Sequence, residues 1–260
     1  MHIKRTLLNI LKHPLTRDLD IDYPQTTLFR KQIIQQKPFL CKIYIDWYTW
    51  IASNIPHGPG RILELGSGAG FLDKFLPGLI TTEVFFNPFV RMVMDGCSMP
   101  FADRSLKAIV MVDVFHHIPD SEVFLKEVTR CLRPGGKVLM VEPWATAWSS
   151  FIYTHLHHEP FDSMAKNWSF PTTGPLSGAN SALPSIVFER DRSLFLSKFP
   201  RLKIEGITIE KPFVYLLSGG VSLRSFMPGF SYIIWARIEN LLSPWIHKTG
   251  MFAKIQLSRV

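Results

Sequence analysis

Arg61-Ile62-Leu63-Glu64-Leu65-Gly66-Ser67-Gly68-Ala69-Gly70 is the stretch on which the reading of this 260-residue chain turns. A short apolar strand carries a carboxylate at Glu64 and runs into glycines at every second position. Glycine lets a backbone approach a ligand closely, and the amides that open a helix favour negative charge. A dinucleotide fingerprint, Gly-x-Gly-x-x-Gly, would need glycine at position 71, where Phe71 stands. The NAD reading therefore fails at its third glycine.

Outward from this loop the chain alternates. Leu79 to Thr82, Val90 to Met94, the bare Ala108 to Val112 and Lys137 to Val141 read as strands. Phe71 to Leu76 reads as a helical turn or two. Ser121 to Leu132 reads as an amphipathic helix stopped by Pro134-Gly135-Gly136. The alternation predicts an α/β fold with a doubly wound parallel sheet. Upstream, residues 1–57 read as a helical N-terminal arm, with an aromatic stripe along Phe39 to Ala52, closed by Pro56-His57-Gly58-Pro59-Gly60. Residues 58–260 form the main domain. Within it, 143–185 read as loop with short helices, Ile186 to Phe199 as helix, and Leu202 to Ile209 as a strand with one slip at Gly206. Ser231 to Leu242 reads as a helix with Ile234, Ile238, Leu241 and Leu242 on one face, and Phe252 to Leu257 as a last strand.

Apolar residues make up 47% and charged residues 19%, which excludes disorder as the main state. No uncharged apolar run reaches the roughly 18 residues of a membrane span, and Leu7 to Leu11 is too short for a signal-peptide core. Cys41, Cys97 and Cys131 lie far apart without metal-ligand spacing, so reduced thiols, a cytoplasmic location and no metal are expected. The net charge of +8 is uneven: +4 over residues 1–60, −1 over 61–142 and +5 over 143–260. Basic flanks suit anionic surfaces and raise the expectation of transient peripheral contact with a membrane. No Lys/Arg block exceeds two residues, which argues against a nucleic-acid-binding tail.

The Ile62–Gly70 arrangement resembles the first motif of class I S-adenosylmethionine-dependent methyltransferases of the type 11 kind. Met99-Pro100-Phe101-Ala102-Asp103, Asp113-Val114-Phe115-His116-His117-Ile118 and Leu132-Arg133-Pro134-Gly135-Gly136 resemble later family phrases in the right order. The resemblance spans about residues 60–145. It implies a Rossmann-like, seven-stranded sheet with an antiparallel last strand, and S-adenosyl-L-methionine as cofactor. It implies a cofactor set of Glu64, Gly66, Ser67, Gly68, Gly70, Glu83, Asp95, Gly96 and Asp113. Glu64 would meet the ammonium, Glu83 the ribose hydroxyls, and Asp95-Gly96 the adenine. Three departures stand out: only eleven residues separate Glu83 from Asp95, Lys107 replaces a usual acid, and Gly96 replaces a usual alanine. The first reduces the helix between strands two and three to a loop.

The resemblance implies methyl transfer, and a hydroxyl acceptor needs a base. Histidine suits that task near neutral pH. The candidates are His116 and His117 after the fourth strand, and His157 and His158 within His155-Leu156-His157-His158-Glu159. Asn87-Pro88-Phe89 looks like a nucleobase-amine motif but follows the wrong strand, so a DNA substrate is not expected. The acceptor pocket is expected from segments 143–185 and 212–250 and from the arm, which together hold all seven tryptophans: Trp47, Trp50, Trp144, Trp148, Trp168, Trp235 and Trp245. Aromatic walls suit an apolar or sugar-like acceptor, and core packing is their other use. The expectation is O-methylation of a small or lipid-linked metabolite, saccharides included. A non-catalytic cofactor-binding partner subunit and an RNA methyltransferase, the latter resting on a pI near 9.5, are the rivals.

Overall fold

Strands β1 (Arg61–Glu64), β2 (Ile80–Glu83), β3 (Met92–Val93), β4 (Leu106–Val112), β5 (Leu132–Pro143), β6 (Leu202–Glu210) and β7 (Phe252–Arg259) make one sheet in the order β3-β2-β1-β4-β5-β7-β6. The computed structural model describes residues 11–15, 22–157, 159–171, 174 and 177–260. β1 to β5 are parallel, with Leu63 opposite Ile80 on one side and Ile109 on the other. β7 runs antiparallel to both β5 and β6. The expected seven-stranded sheet with an antiparallel last strand is the sheet observed. The slip at Gly206 is a bulge: the register shifts between Ile204 and Gly206. The run between β2 and β3 is a loop, as the short spacing implied, and β3 is only two residues long.

Alternation along the strands divides the core between two faces. Leu63, Ile109, Met111, Val138, Met140 and Ile255 pack under helix α3 (Ser121–Cys131) and under the segment 183–199. Asp120 caps α3 by accepting from the amides of Glu122 and Val123, both at 3.0 Å. On the opposite face, Ile62, Ala108, Val110 and Leu139 meet Tyr48 and Ile51, and Val141 and Phe252 meet Ile43 and Trp47. Those side chains belong to helix α2 (Pro38–Asn54), preceded by α1 (Pro24–Gln36). Both helices fall within the stretch expected to be a helical arm. The aromatic stripe of α2 is buried against the sheet as one layer of the same core. The expected helix 186–199 is broken into a π-turn, Ile186–Arg190, and helix α5 (Arg192–Lys198). At the break Asp191 accepts from the Trp168 indole at 2.8 Å. Helix α4 (Ala147–Leu156) begins with a reciprocal capping box between Thr146 and Ser149. Between β6 and β7 come α6 (Val214–Ser218) and α7 (Tyr232–Leu241).

Candidate active site

β1 ends at Glu64, and the chain must turn at once to clear the neighbouring strands. Gly66 and Gly68 take left-handed φ values of 60° and 46°. The turn is pinned to β2: Ser67 N–H donates to Thr82 O at 2.9 Å, and the Thr82 hydroxyl donates to Glu64 O at 2.7 Å. A Cβ at Gly66 would lie 2.4 Å from Val114 Cγ2, and one at Gly70 would lie 2.6 Å from the Tyr48 hydroxyl. These two positions leave no room for any side chain.

The loop forms one wall of a cavity of about 800 Å³. Glu64, Gly66, Ser67, Gly68, Gly70, Glu83, Asp95, Gly96 and Asp113 all line it. Glu64 is buried, and desolvation pushes its carboxyl up to about 7, against a hydrogen bond from Ser67. Burial also raises Glu83, whose carboxylate accepts from Val84 N–H at 3.2 Å. Asp95 sits exposed on the rim and accepts from Cys97 N–H at 2.8 Å. Asp113 follows β4 in a left-handed conformation, φ 63°, a costly geometry for a non-glycine residue. Desolvation pushes its carboxyl up to about 7, opposed by the nearby His116.

The far end of the cavity holds a cluster that the spacing of the sequence did not announce. Glu142, at the end of β5, is fully buried. Its Oε1 accepts from the amides of Val114 and Phe115 at 3.0 and 2.8 Å, and its Oε2 lies 2.8 Å from His116 Nδ1. His116 Nε2 lies 3.3 Å from Glu159 Oε2, an ion-pair contact. Burial opposes charge on His116, but the bonds to Glu142 and Glu159 prevail and hold it well above the usual histidine range. His117 differs. Burial and the neighbouring His116 charge push it down to about 4. Its Nδ1 lies 3.0 Å from the carbonyl of Gly178, so Nδ1 carries the hydrogen and Nε2 offers its lone pair, 3.8 Å from Glu159 Oε1. Donor atoms of His116, His117 and Glu159 lie within 4.8 Å of one another, a set that could also grip a divalent cation.

The expected bases therefore separate. His117 and His157 line the cavity, and His157 Nδ1 accepts from Glu159 N–H at 3.3 Å. His116 lies beneath the floor with no exposed surface, so it cannot touch an acceptor as expected. His158 lies outside the described residues. Glu142 was absent from the expected site, whereas Glu159 belonged to the expected His155–Glu159 cluster. A lone carboxylate ending the apolar run Val138–Val141 was the available signal for Glu142. The aromatic walls are also corrected. Among the described residues no tryptophan lines the cavity, and Trp47, Trp144 and Trp168 are core. The aromatic lining comes from Tyr44, Tyr48, Tyr215 and Phe226.

Residues 63–140 match the family model described as a methyltransferase domain. They contain the glycine loop, Glu83, Asp95 and the His116–His117 turn. Over these residues the chain matches a methyltransferase domain. Relatives agree over this domain. A probable phthiotriol/phenolphthiotriol dimycocerosates methyltransferase 2 from Mycobacterium ulcerans (strain Agy99) is 30% identical over 115 residues, 36% of this chain and 44% of the relative. A demethylmenaquinone methyltransferase from Streptomyces griseus is 34% identical over 125 residues, 42% of this chain and 54% of the relative. The chain thus spans about half the length of these curated relatives. The fold of the methyltransferase domain and its flanks is similar to geranyl diphosphate C-methyltransferase from Streptomyces coelicolor A3(2), with a TM-score of 0.52, 13% identity and coverage of 89% of this chain and 84% of that one.

Proposed function

We propose that the protein transfers a methyl group from S-adenosyl-L-methionine to a hydroxyl of a small or lipid-linked acceptor. The observation that carries this reading is one cavity lined by both the Gly66–Gly70 loop and the His117 imidazole, whose Nδ1 is held by the Gly178 carbonyl. The cofactor, when bound, supplies an electrophilic methyl group on a cationic sulfur. Glu64 suits its ammonium: a carboxylate that burial has pushed up to about 7 gains from a cationic partner. The backbone of Gly66 to Gly70 can approach the ligand because nothing projects from it. Glu83 suits a pair of ribose hydroxyls as a charge-assisted acceptor, and Asp95 with Gly96 suits the adenine edge. With the cofactor bound, His117 Nε2 would take the acceptor's proton as the acceptor oxygen displaces the neutral thioether from the methyl carbon, and Glu159 would stabilise the resulting imidazolium. Glu142 and His116 fix the turn that presents His117. The names of the relatives, with phthiotriol dimycocerosate and demethylmenaquinone acceptors, support a lipid-class acceptor. So does the apolar wall of Leu216, Leu217, Val221 and Leu223.

His117→Ala should lower turnover by roughly 100- to 10,000-fold and leave cofactor affinity unchanged. Single-turnover kinetics beside calorimetric titration check this, and unaltered turnover would remove His117 from the chemistry. Chelation by EDTA should leave turnover intact. A loss restored by Mn²⁺ would instead assign the His116–His117–Glu159 triangle to a cation. Cofactor uptake without turnover on an acceptor panel would favour the partner-subunit reading.

Binding should also depend on pH. Glu64 is mostly neutral below about 7 and ionises above it. The ligand's ammonium selects the ionised form, so affinity should rise about tenfold between pH 6 and 8, with proton release. Calorimetry in two buffers of different ionisation heat measures that release. A flat profile without it would detach Glu64 from the ammonium.

A further inference from the structure

Helix α7 presents an apolar stripe to solvent. A helix on a globular protein turns its apolar stripe to the core and its polar stripe to water. Here Ile233 (56% exposed), Ile234 (58%), Ile238 (40%) and Leu241 (73%) face solvent on one side of the helix, as their i, i+4, i+7 spacing requires. Phe230 (79%) and Trp245 (55%) extend the stripe at either end. The opposite face packs Tyr232, Trp235 and Ala236 on the core and carries Glu239 inward. Buried Glu239 accepts from the amides of Phe213 and Val214 at 2.7 and 2.6 Å, and the Tyr232 hydroxyl bonds Asp46. The orientation is thus held by specific bonds.

We infer that this face is a docking surface for an anionic lipid bilayer. Charge selects the occupant. Between β6 and β7 the chain carries Lys211, Arg224, Arg237 and Lys248 against a single acid, Glu239, and that acid is buried. Arg224, Arg237 and Lys248 are exposed, so every exposed formal charge of the segment is positive. Arg237 lies within the apolar stripe, where its stem packs on hydrocarbon and its guanidinium reaches a phosphate. Trp245 provides an amphipathic ring at one end, suited to headgroup depth. No described helix is long and apolar enough to cross a membrane, and α7 has ten residues, so it lies on the surface. Phe226 is 44% exposed and lines the cavity, and in sequence it falls between the apolar wall 216–223 and α7. The docking surface itself stands without the methyl-transfer reading.

The test is co-sedimentation of the full chain with vesicles of phosphatidylcholine alone or mixed with phosphatidylglycerol, without cofactor or acceptor. Binding is expected on the anionic vesicles at low salt. Ile234→Asp with Leu241→Asp should reduce the bound fraction at least tenfold. Arg237→Ala with Lys248→Ala should weaken partitioning by roughly 5- to 25-fold, since each cation near an anionic surface contributes about 1 kcal/mol. Circular dichroism and thermal melting should match the parent, because all four side chains are exposed. Absence of binding to either vesicle at low salt overturns the inference. So does a dimer in light scattering that the aspartate pair dissociates, since a second copy would then cover the face. Either failure leaves cofactor binding and turnover untouched, so it is distinguishable from failure of the methyl-transfer reading.

Discussion

Glu142→Ala should melt about 10 °C below the parent protein. Glu142 is fully buried, anchors two backbone amides at the start of the Phe115–His117 turn, and faces the His116 imidazolium. Removing it leaves two buried N–H donors without an acceptor and deprives a buried cation of a partner. Breaking one side of such a pair costs about 3–5 kcal/mol. For a chain of this size each kcal/mol moves the melting point by roughly 2–4 °C. Glu142→Gln keeps an acceptor for the amides but loses the charge, so it should fall distinctly less. Calorimetric melting of both variants separates the two contributions. A melting point for Glu142→Ala within about 2 °C of the parent would show that the carboxylate is not needed to hold the turn.

Gly66→Val should reduce affinity for S-adenosyl-L-homocysteine by at least about 100-fold, equivalent to roughly 2.7 kcal/mol. Two independent penalties act. A β-branched residue at φ 60° is strained, and its Cβ would meet Val114 Cγ2 at 2.4 Å. The loop must move, and its contacts to Thr82 and Glu64 move with it. Gly66→Ala combined with Val114→Gly makes room but keeps the backbone strain, so it should recover only part of the loss. Equilibrium dialysis measures both. Near-parental affinity in Gly66→Val would mean that the loop does not hold the nucleoside.

Much of this molecule was legible before any coordinates. The parallel strands β1, β4 and β5 are runs of apolar, often β-branched residues, as strands covered on both faces must be. The end of α3 was readable from the Pro134-Gly135-Gly136 turn just beyond it, where Gly135 takes φ 73°. The break in alternation at Gly206 became a bulge, because a period of two cannot absorb an extra residue. The nine residues expected around the cofactor came into one cavity because the resemblance covers the strand ends that surround it.

What the sequence by itself determined, then, is the succession of strands and helices and the placing of glycines that free the loop to turn, since both rest on local propensity. Tertiary structure alone decided three other matters. It brought Glu142 and Glu159 to His116 and His117 from other segments, turning one imidazole into a buried cation and its neighbour into a neutral acceptor. It left the cavity wall without a tryptophan among the described residues and placed Trp47, Trp144 and Trp168 in the core. It turned the apolar face of α7 outward, because Glu239 and Tyr232 found partners inside. Periodicity reveals that a helix has two faces, but which of them meets protein depends on groups distant in sequence, and those come together only when the chain folds.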